Sequence, residues 1–318
     1  MILVTGATGF VGSAVVAKLA HEGIKTRACV RRNDAFMPDS VEVVHVSDMC
    51  ADTDWGATLA GVGVVVHAAA RVHVMDDTAT DPLAEFRRIN VNGTLNLARQ
   101  AAAAGVRRFV FISSIKVNGE VTRLGQPFSA DDRPAPIDPY GVSKMEAEQG
   151  LRELAAQTGM ELVIVRPPLV YGPGVKANFA AMMRWLVRGV PLPLGAIDNR
   201  RSMVALDNLV DLLVTCMSHP AAANQTFLVC DGENLSTTEL LKRTATAMGK
   251  KARLFPVPEQ ILRIGARLIG KPNVAQRLVD SLQVDISKTR DLLGWTPSVT
   301  VDQSLRKTAE HFLQNQQR

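Results

Sequence analysis

Apolar positions recur along this chain in two rhythms, and the change between them divides it. In the first half they form short runs: Ile2–Thr5 (ILVT), Thr26–Val30 (TRACV), Val41–Val46 (VEVVHV), Val64–Ala70 (VVVHAAA), Arg108–Ser113 (RFVFIS) and Glu161–Arg166 (ELVIVR). Each run is brief, rich in β-branched residues and free of strict polar alternation, which is the pattern of strands buried on both faces of a parallel sheet. Helical stretches separate them and close on glycine: GSAVVAKLAHEG at Gly23, TLNLARQAAAAG at Gly105 and SKMEAEQGLRELAAQTG at Gly159. Strands alternating with helices predict βαβ units and an α/β fold with a doubly wound parallel sheet.

After Pro167 the rhythm changes. Proline and glycine cluster in RPPLVYGPG and GVPLPLGA, and helical patterns such as DNLVDLLVTCMSH and STTELLKRTATAMG follow. The last of these opens on Ser236 with Glu239 three residues on, a capping-box spacing. One late run, Thr226–Asp231 (TFLVCD), is expected to rejoin the sheet. No repeat or low-complexity linker interrupts the chain. The expected division is a dinucleotide-type domain from residues 1–170 plus 200–232, and a smaller, mostly helical substrate-binding cap from 171–199 plus 233–318. The site is expected in the crevice at the carboxyl ends of the strands.

Composition narrows the class. With 318 residues, 47% hydrophobic and 21% charged, the chain can bury a large core in one or two domains. Its net charge of +5 comes without any Lys/Arg run longer than two, and only 5% of residues are aromatic. That argues against nucleic acid as a partner and is compatible with a few cationic sites for phosphorylated ligands. Cys29, Cys50, Cys216 and Cys230 lack CxxC spacing and read as free thiols in a reducing, cytoplasmic compartment; no metal site is expected. The N-terminus has no basic region and breaks at Gly6, so no signal peptide is expected, and no apolar run approaches the ~20 residues of a membrane span.

Three stretches carry candidate chemistry. TGATGFVG follows the first strand and opens a helix. Gly6, Gly9 and Gly12 allow a tight turn, close approach to a pyrophosphate and close helix packing, with the helix N-terminus facing the anion. YGVSK places Tyr140 and Lys144 on one helical face. An adjacent ammonium is expected to lower the tyrosine pKa and make Tyr140 a general acid/base; the alternative is an ordinary tyrosine beside an unrelated lysine. FISSIKVNG ends a strand on Ser113 and Ser114, where a hydroxyl either meets a substrate oxygen or simply closes a turn.

Taken in order, TGATGFVG, HAAA, NVNGT, SSIKVNG, YGVSK and RPPLVYGP resemble an extended short-chain dehydrogenase/reductase, nearest the nucleotide-sugar epimerase/dehydratase branch, over essentially the whole chain. The resemblance implies a Rossmann-type doubly wound sheet and a UDP-sugar substrate. It makes Ser114 the catalytic hydroxyl, Tyr140 the acid/base, and Lys144 the residue that holds the nicotinamide ribose and tunes Tyr140. Cofactor contacts fall to Gly6, Thr8, Gly9, Phe10, Val11 and Gly12, to Asp48 and Met49 beside the adenine, to Ala68, Ala69, Ala70 and Asn90 along its path, and to Pro167 and Val170. Substrate contacts fall to Ser114, Lys116 and Tyr140, with Asn178 and Arg201 on the nucleotide diphosphate; Arg201 could instead be a surface residue. A homodimer is likewise an expectation from resemblance alone.

The departures matter as much. Dehydratases of this branch follow the catalytic hydroxyl with Asp-Glu; here Ile115 and Lys116 stand there, which argues against 4,6-dehydration. Leu169 stands where epimerases often have Asn, and Asn118 replaces an aromatic residue. In ACVRRND the second strand ends at Val30 and is followed by Arg31 and Arg32, where NAD-preferring members carry an acid for the ribose 2′-OH. Arginine pairs with a 2′-phosphate, so NADP(H) is favoured over NAD(H), unless both arginines are solvated and Asn33 or Asp34 meets the ribose. That preference leads to an NADP(H)-dependent 4-reductase of the UDP-N-acetylquinovosamine type, with Tyr140 protonating the developing alkoxide. The alternative is a UDP-glucose or UDP-N-acetylglucosamine 4-epimerase with retained NAD. A non-catalytic nucleotide sensor is more remote, since Tyr140 and Lys144 are both present. Finally, Glu259–Pro272 (EQILRIGARLIGKP) has Ile261, Leu262, Ile264, Leu268 and Ile269 largely on one helical face, apart from Arg263, Arg267 and Lys271. It either packs on the cap or lies on a membrane surface.

Overall fold

The computed structural model describes residues 1–32, 37–72, 81–268, 270 and 272–316, the side chains of 272–274 excepted. Seven strands form one parallel sheet: β1 (Ile2–Thr5), β2 (Thr26–Val30), β3 (Glu42–His45), β4 (Val64–His67), β5 (Arg108–Ile112), β6 (Glu161–Arg166) and β9 (Gln225–Leu228), in the order β3-β2-β1-β4-β5-β6-β9. The order reverses at β1, where β2 lies on one side and β4 on the other. Three smaller strands, β7 (Leu169–Tyr171), β8 (Arg201–Ala205) and β10 (Asn234–Leu235), form a second sheet in the order β10-β8-β7. The late apolar run does return to the large sheet, parallel to β6, and ends three residues earlier than the pattern suggested.

Helices cover both faces of the large sheet. In chain order they are α1 (Phe10–His21), α2 (Gly56–Leu59), α3 (Pro82–Phe86), α4 (Thr94–Ala103), α5 (Pro139–Thr158), α6 (Ala177–Val187), α7 (Leu206–Ser218), α8 (Thr237–Ala247), α9 (Glu259–Leu268), α10 (Pro272–Val279), α11 (Ser287–Leu293) and α12 (Val301–Gln316). Successive strand residues supply opposite faces. Val110, Ile112, Val163 and Val165 join the core under α1 and α7, while Phe109, Phe111, Leu162 and Ile164 join the core under α4 and α5. Both faces are buried, which is why the runs show no polar alternation. The helix stops fall as the glycines predict: Gly159 is the left-handed C-cap of α5 at φ +73, and Gly23 and Gly105 also have positive φ. The capping box of α8 is complete, Ser236 accepting from the Glu239 N–H and Glu239 accepting from the Ser236 N–H.

A third core, around Tyr171, Phe179, Met183, Leu241 and Leu305, joins the small sheet to α6, α8 and α12. The chain nonetheless crosses back: Leu282, Val284, Ile286, Leu293 and Trp295 pack into the α1/α7 core of the large sheet. Trp295 also donates its indole N–H to Asp211 at 2.8 Å. Among the described residues, no helix is long and apolar enough to cross a membrane, and all four cysteines are free.

Candidate active site

At the carboxyl end of β1 the chain turns into α1 through three glycines with three different jobs. Gly6 has φ +67, and a Cβ there would lie 2.6 Å from the Ala69 nitrogen and 2.8 Å from the Ala68 carbonyl carbon. Gly12 sits in the first turn of α1, where a Cβ would run into the carbonyl oxygen of Gly6. Gly9 is the N-cap and supplies no side-chain partner to the first turn, so the N–H groups of Phe10, Val11 and Gly12 are left for a ligand. The cradle has space only for backbone, as close approach to a pyrophosphate requires. Behind it His67 is fully buried, bonded through Nδ1 to the Thr5 hydroxyl (2.7 Å) and through Nε2 to that of Thr94 (2.9 Å). Burial, with the charge of Lys144, pushes its pKa down to about 3, so a neutral imidazole ties β1 to β4 and α4. The run HAAA contained this histidine, but nothing in its spacing marked it as a strut.

The adenosine side is more exposed. Arg31 and Arg32 follow β2 on the surface; Asn33 and Asp34 lie outside the described residues. Asp48 accepts from the Met49 N–H (2.8 Å) and from Arg88 (2.9 Å), and these contacts, with the charge of Arg31, hold its carboxyl below the usual range. Met49 turns its side chain into the core, leaving its backbone to border any adenine. Asn90, expected on the cofactor path, makes its side-chain bonds within the protein. It is buried in a π-helical turn (Arg87–Gly93), accepts from the Arg71 N–H, and donates to the Arg71 carbonyl and the Ser143 hydroxyl. All its polar atoms are committed, so it fixes the loop after β4 to α5. Ala68, Ala69 and Ala70 are half-buried at the end of β4, beside Gly6.

Tyr140 and Lys144 lie in the first two turns of α5, whose N-cap Asp138 accepts from the Gly141 N–H at 2.7 Å. Lys144 is buried, donates to the Ile112 carbonyl at 2.9 Å and lies 4.4 Å from the Phe111 ring centre. Desolvation lowers its pKa to about 7, against the opposing pull of Glu148. The expected lowering of the Tyr140 pKa is not found. Desolvation pushes the phenol up to about 12, Asp138 adds to this, and a hydrogen bond with Ser114 opposes it. The reason is that Lys144 is itself desolvated and only partly charged near neutral pH, so burial outweighs attraction. Phe86 meets the Tyr140 ring edge-on at 5.9 Å.

The two serines separate by role. Ser113 is buried and donates to Glu148 at 2.5 Å, while Ser114 is half-buried, caps the short turn Ile115–Val117 and contacts Tyr140. Glu148 and Arg166, both buried, form a two-pronged pair at 2.8 and 2.6 Å, and Arg166 also donates to Asn118 at 2.9 Å. This network joins the ends of β5 and β6 to α5 one turn below Lys144. It explains Asn118, whose amide replaces an aromatic ring because it must accept from a buried guanidinium. Sequence reading passed over Glu148 and Arg166. Their signals were a glutamate four residues after Lys144, and an arginine ending the apolar run of β6.

On the substrate side, Lys116 is paired with Asp138 and with Glu120 (3.0 Å), at the head of the helix bearing Tyr140. Pro167 is buried and its carbonyl accepts from the Ile115 N–H; Val170 is half-buried in β7. Asn178 is exposed at the start of α6, just after Ala177 with φ +53, an uncommon conformation for a residue with a Cβ. Arg201, on β8, directs Nη1 at the carbonyls of Arg277 and Asp280, both at 3.0 Å. It is therefore not a free surface side chain, and burial lowers its pKa.

The family described as "NAD dependent epimerase/dehydratase family" matches residues 2–230. A UDP-glucose 4-epimerase of Vibrio cholerae is 49% identical over 315 residues, spanning 98% of this chain and 95% of that one. Among solved structures, MoeE5 in complex with UDP-glucuronic acid and NAD is 26% identical with a TM-score of 0.78, over 99% of both chains. The UDP-glucose 4-epimerase of Thermotoga maritima with UDP-glucose shares the fold, at 23% identity and a TM-score of 0.78 over 99% of both chains.

Proposed function

Because the chain belongs to the NAD dependent epimerase/dehydratase family, we propose that it is a UDP-sugar 4-epimerase that retains NAD and acts on UDP-glucose or UDP-N-acetylglucosamine. The observation that carries this reading is the 49% identity, end to end, to a UDP-glucose 4-epimerase. It displaces the NADP(H)-dependent 4-reductase that Arg31 and Arg32 suggested. The family description names NAD, MoeE5 is described with NAD, and both arginines are exposed. Ile115 and Lys116, in place of an acidic pair, suit a reaction without elimination.

The glycine turn fits a dinucleotide: the first N–H groups of α1 have no side-chain cap, and Cβ atoms at Gly6 or Gly12 would meet backbone and force β1, the chain after β4 and α1 apart. A dinucleotide bound there supplies two-electron redox chemistry at the sugar. The chain's own part is proton handling. Tyr140 exchanges the proton of the C4 hydroxyl, with Ser114 sharing the hydrogen bond. Lys144 would hold the cofactor ribose, and Arg201 and Asn178 would hold the substrate diphosphate.

The test has two arms. Denaturing the purified protein and identifying the released dinucleotide is expected to give NAD. Incubating UDP-glucose and UDP-N-acetylglucosamine without reductant is expected to give the C4 epimer of at least one. No epimer, together with NADPH-dependent consumption of UDP-4-keto-6-deoxy-N-acetylglucosamine, would restore the reductase.

A further inference from the structure

The apolar face of α9 points outward. Ile261, Ile264 and Leu268, spaced i, i+3, i+7, form one stripe and are 57%, 57% and 83% exposed. The opposite face is the one held to the protein: Leu262 packs on the third core, and Arg263 pairs with Asp280 at 2.5 Å. Phe255, just ahead of the helix, is exposed as well. A helix of a globular protein normally turns such a stripe inward, so an outward stripe calls for a partner.

Charge indicates which partner. Residues 250–280 carry seven of the 36 Lys and Arg but two of the 31 Asp and Glu, which leaves 29 of each elsewhere. The segment 250–280, which contains this helix, thus carries an excess equal to the whole net charge of +5. Lys250, Lys251, Arg253, Arg267 and Arg277 are exposed. A second copy of the chain on the same face would oppose these cations to one another. An anionic bilayer surface complements them and takes up the aliphatic stripe, which is how interfacial helices bind without spanning.

We infer that α9 docks this protein on anionic phospholipid surfaces, its Ile261–Ile264–Leu268 stripe at the acyl boundary and its basic neighbours among the headgroups. The docked segment adjoins the candidate site, since Arg201 is bonded to the carbonyls of Arg277 and Asp280.

Vesicle flotation of the full chain tests this. The protein is expected to float with phosphatidylglycerol-rich vesicles, and about tenfold less with phosphatidylcholine alone. The double variant Ile264→Glu/Leu268→Glu alters exposed positions, so its circular dichroism and its turnover of soluble nucleotide sugar should match wild type. Its flotation should fall about tenfold or more. Wild type that stays unbound on phosphatidylglycerol, or a variant that floats equally well, overturns the inference. A wild-type dimer that the variant converts to monomer, without flotation of either, assigns the stripe to a second copy instead.

Discussion

Tyr140 and Lys144 influence each other less through mutual charge than through the burial they share. The phenol is pushed up to about 12 and the ammonium down to about 7, mainly by desolvation in each case. Tyr140→Phe removes the hydroxyl proposed to move the proton, yet leaves the ring against Phe86. Its kcat should fall about 10²- to 10⁴-fold while released dinucleotide per mole of protein stays at the wild-type level. Turnover near wild type would end the acid/base assignment. Lys144 also makes a stability prediction. Its folded pKa lies below the unfolded 10.5, so between about pH 7 and 10 the unfolded chain binds more protons, and this lysine's contribution to stability rises with pH. In Lys144→Met that rise is absent. Urea midpoints taken across this window should therefore show wild type gaining on the variant as pH increases. Curves that stay parallel would mean the ammonium is not desolvated.

At the scale of elements, function depends on how closely backbone segments approach. Gly6 turns β1 under the Ala68–Ala69 backbone, and Gly12 lets α1 settle on the Gly6 carbonyl. A methyl group at position 12 would meet backbone, which cannot rotate away. Gly12→Ala should cost about 1–3 kcal/mol of stability and should purify without its dinucleotide, as read from absorbance after denaturation. Full retention would show that α1 can shift outward and still bind. The Glu148–Arg166 pair acts at the same scale, locking the ends of β5 and β6 to α5 so that Ser114 and Tyr140 keep their register.

Across the whole molecule, the C-terminal segment joins the two regions. Leu293 and Trp295 are buried in the core of the large sheet, although in the chain they lie between α8 and α12 of the third core. Trp295→Ala removes a buried ring and its bond to Asp211. It should cost about 3–5 kcal/mol and lower the melting temperature of the whole protein in one transition. Two separate transitions would show that the regions unfold independently. The outward stripe of α9 belongs to this scale too, because it determines what the assembled molecule lies against.

The sequence by itself determined the strands of the large sheet and the placing of Tyr140 and Lys144 on one helical face. Strands buried on both faces must be continuously apolar, helices must stop where glycine can adopt positive φ, and an i, i+4 pair must share a face. ILVT, TRACV and ELVIVR therefore delimit β1, β2 and β6 to the residue, and YGVSK puts Tyr140 and Lys144 together. These are local rules, and local sequence suffices for them. Tertiary structure decided whatever depends on which distant groups become neighbours. Burial raised the Tyr140 pKa where spacing alone predicted a lowering. Packing committed Asn90 to Arg71 and Ser143, and assembled Glu148, Arg166, and Ser113 with Asn118 from three separate stretches. The direction in which α9 turns its apolar stripe was decided there as well. Periodicity shows that a helix has two faces, and only the packed molecule shows which of them is left outside.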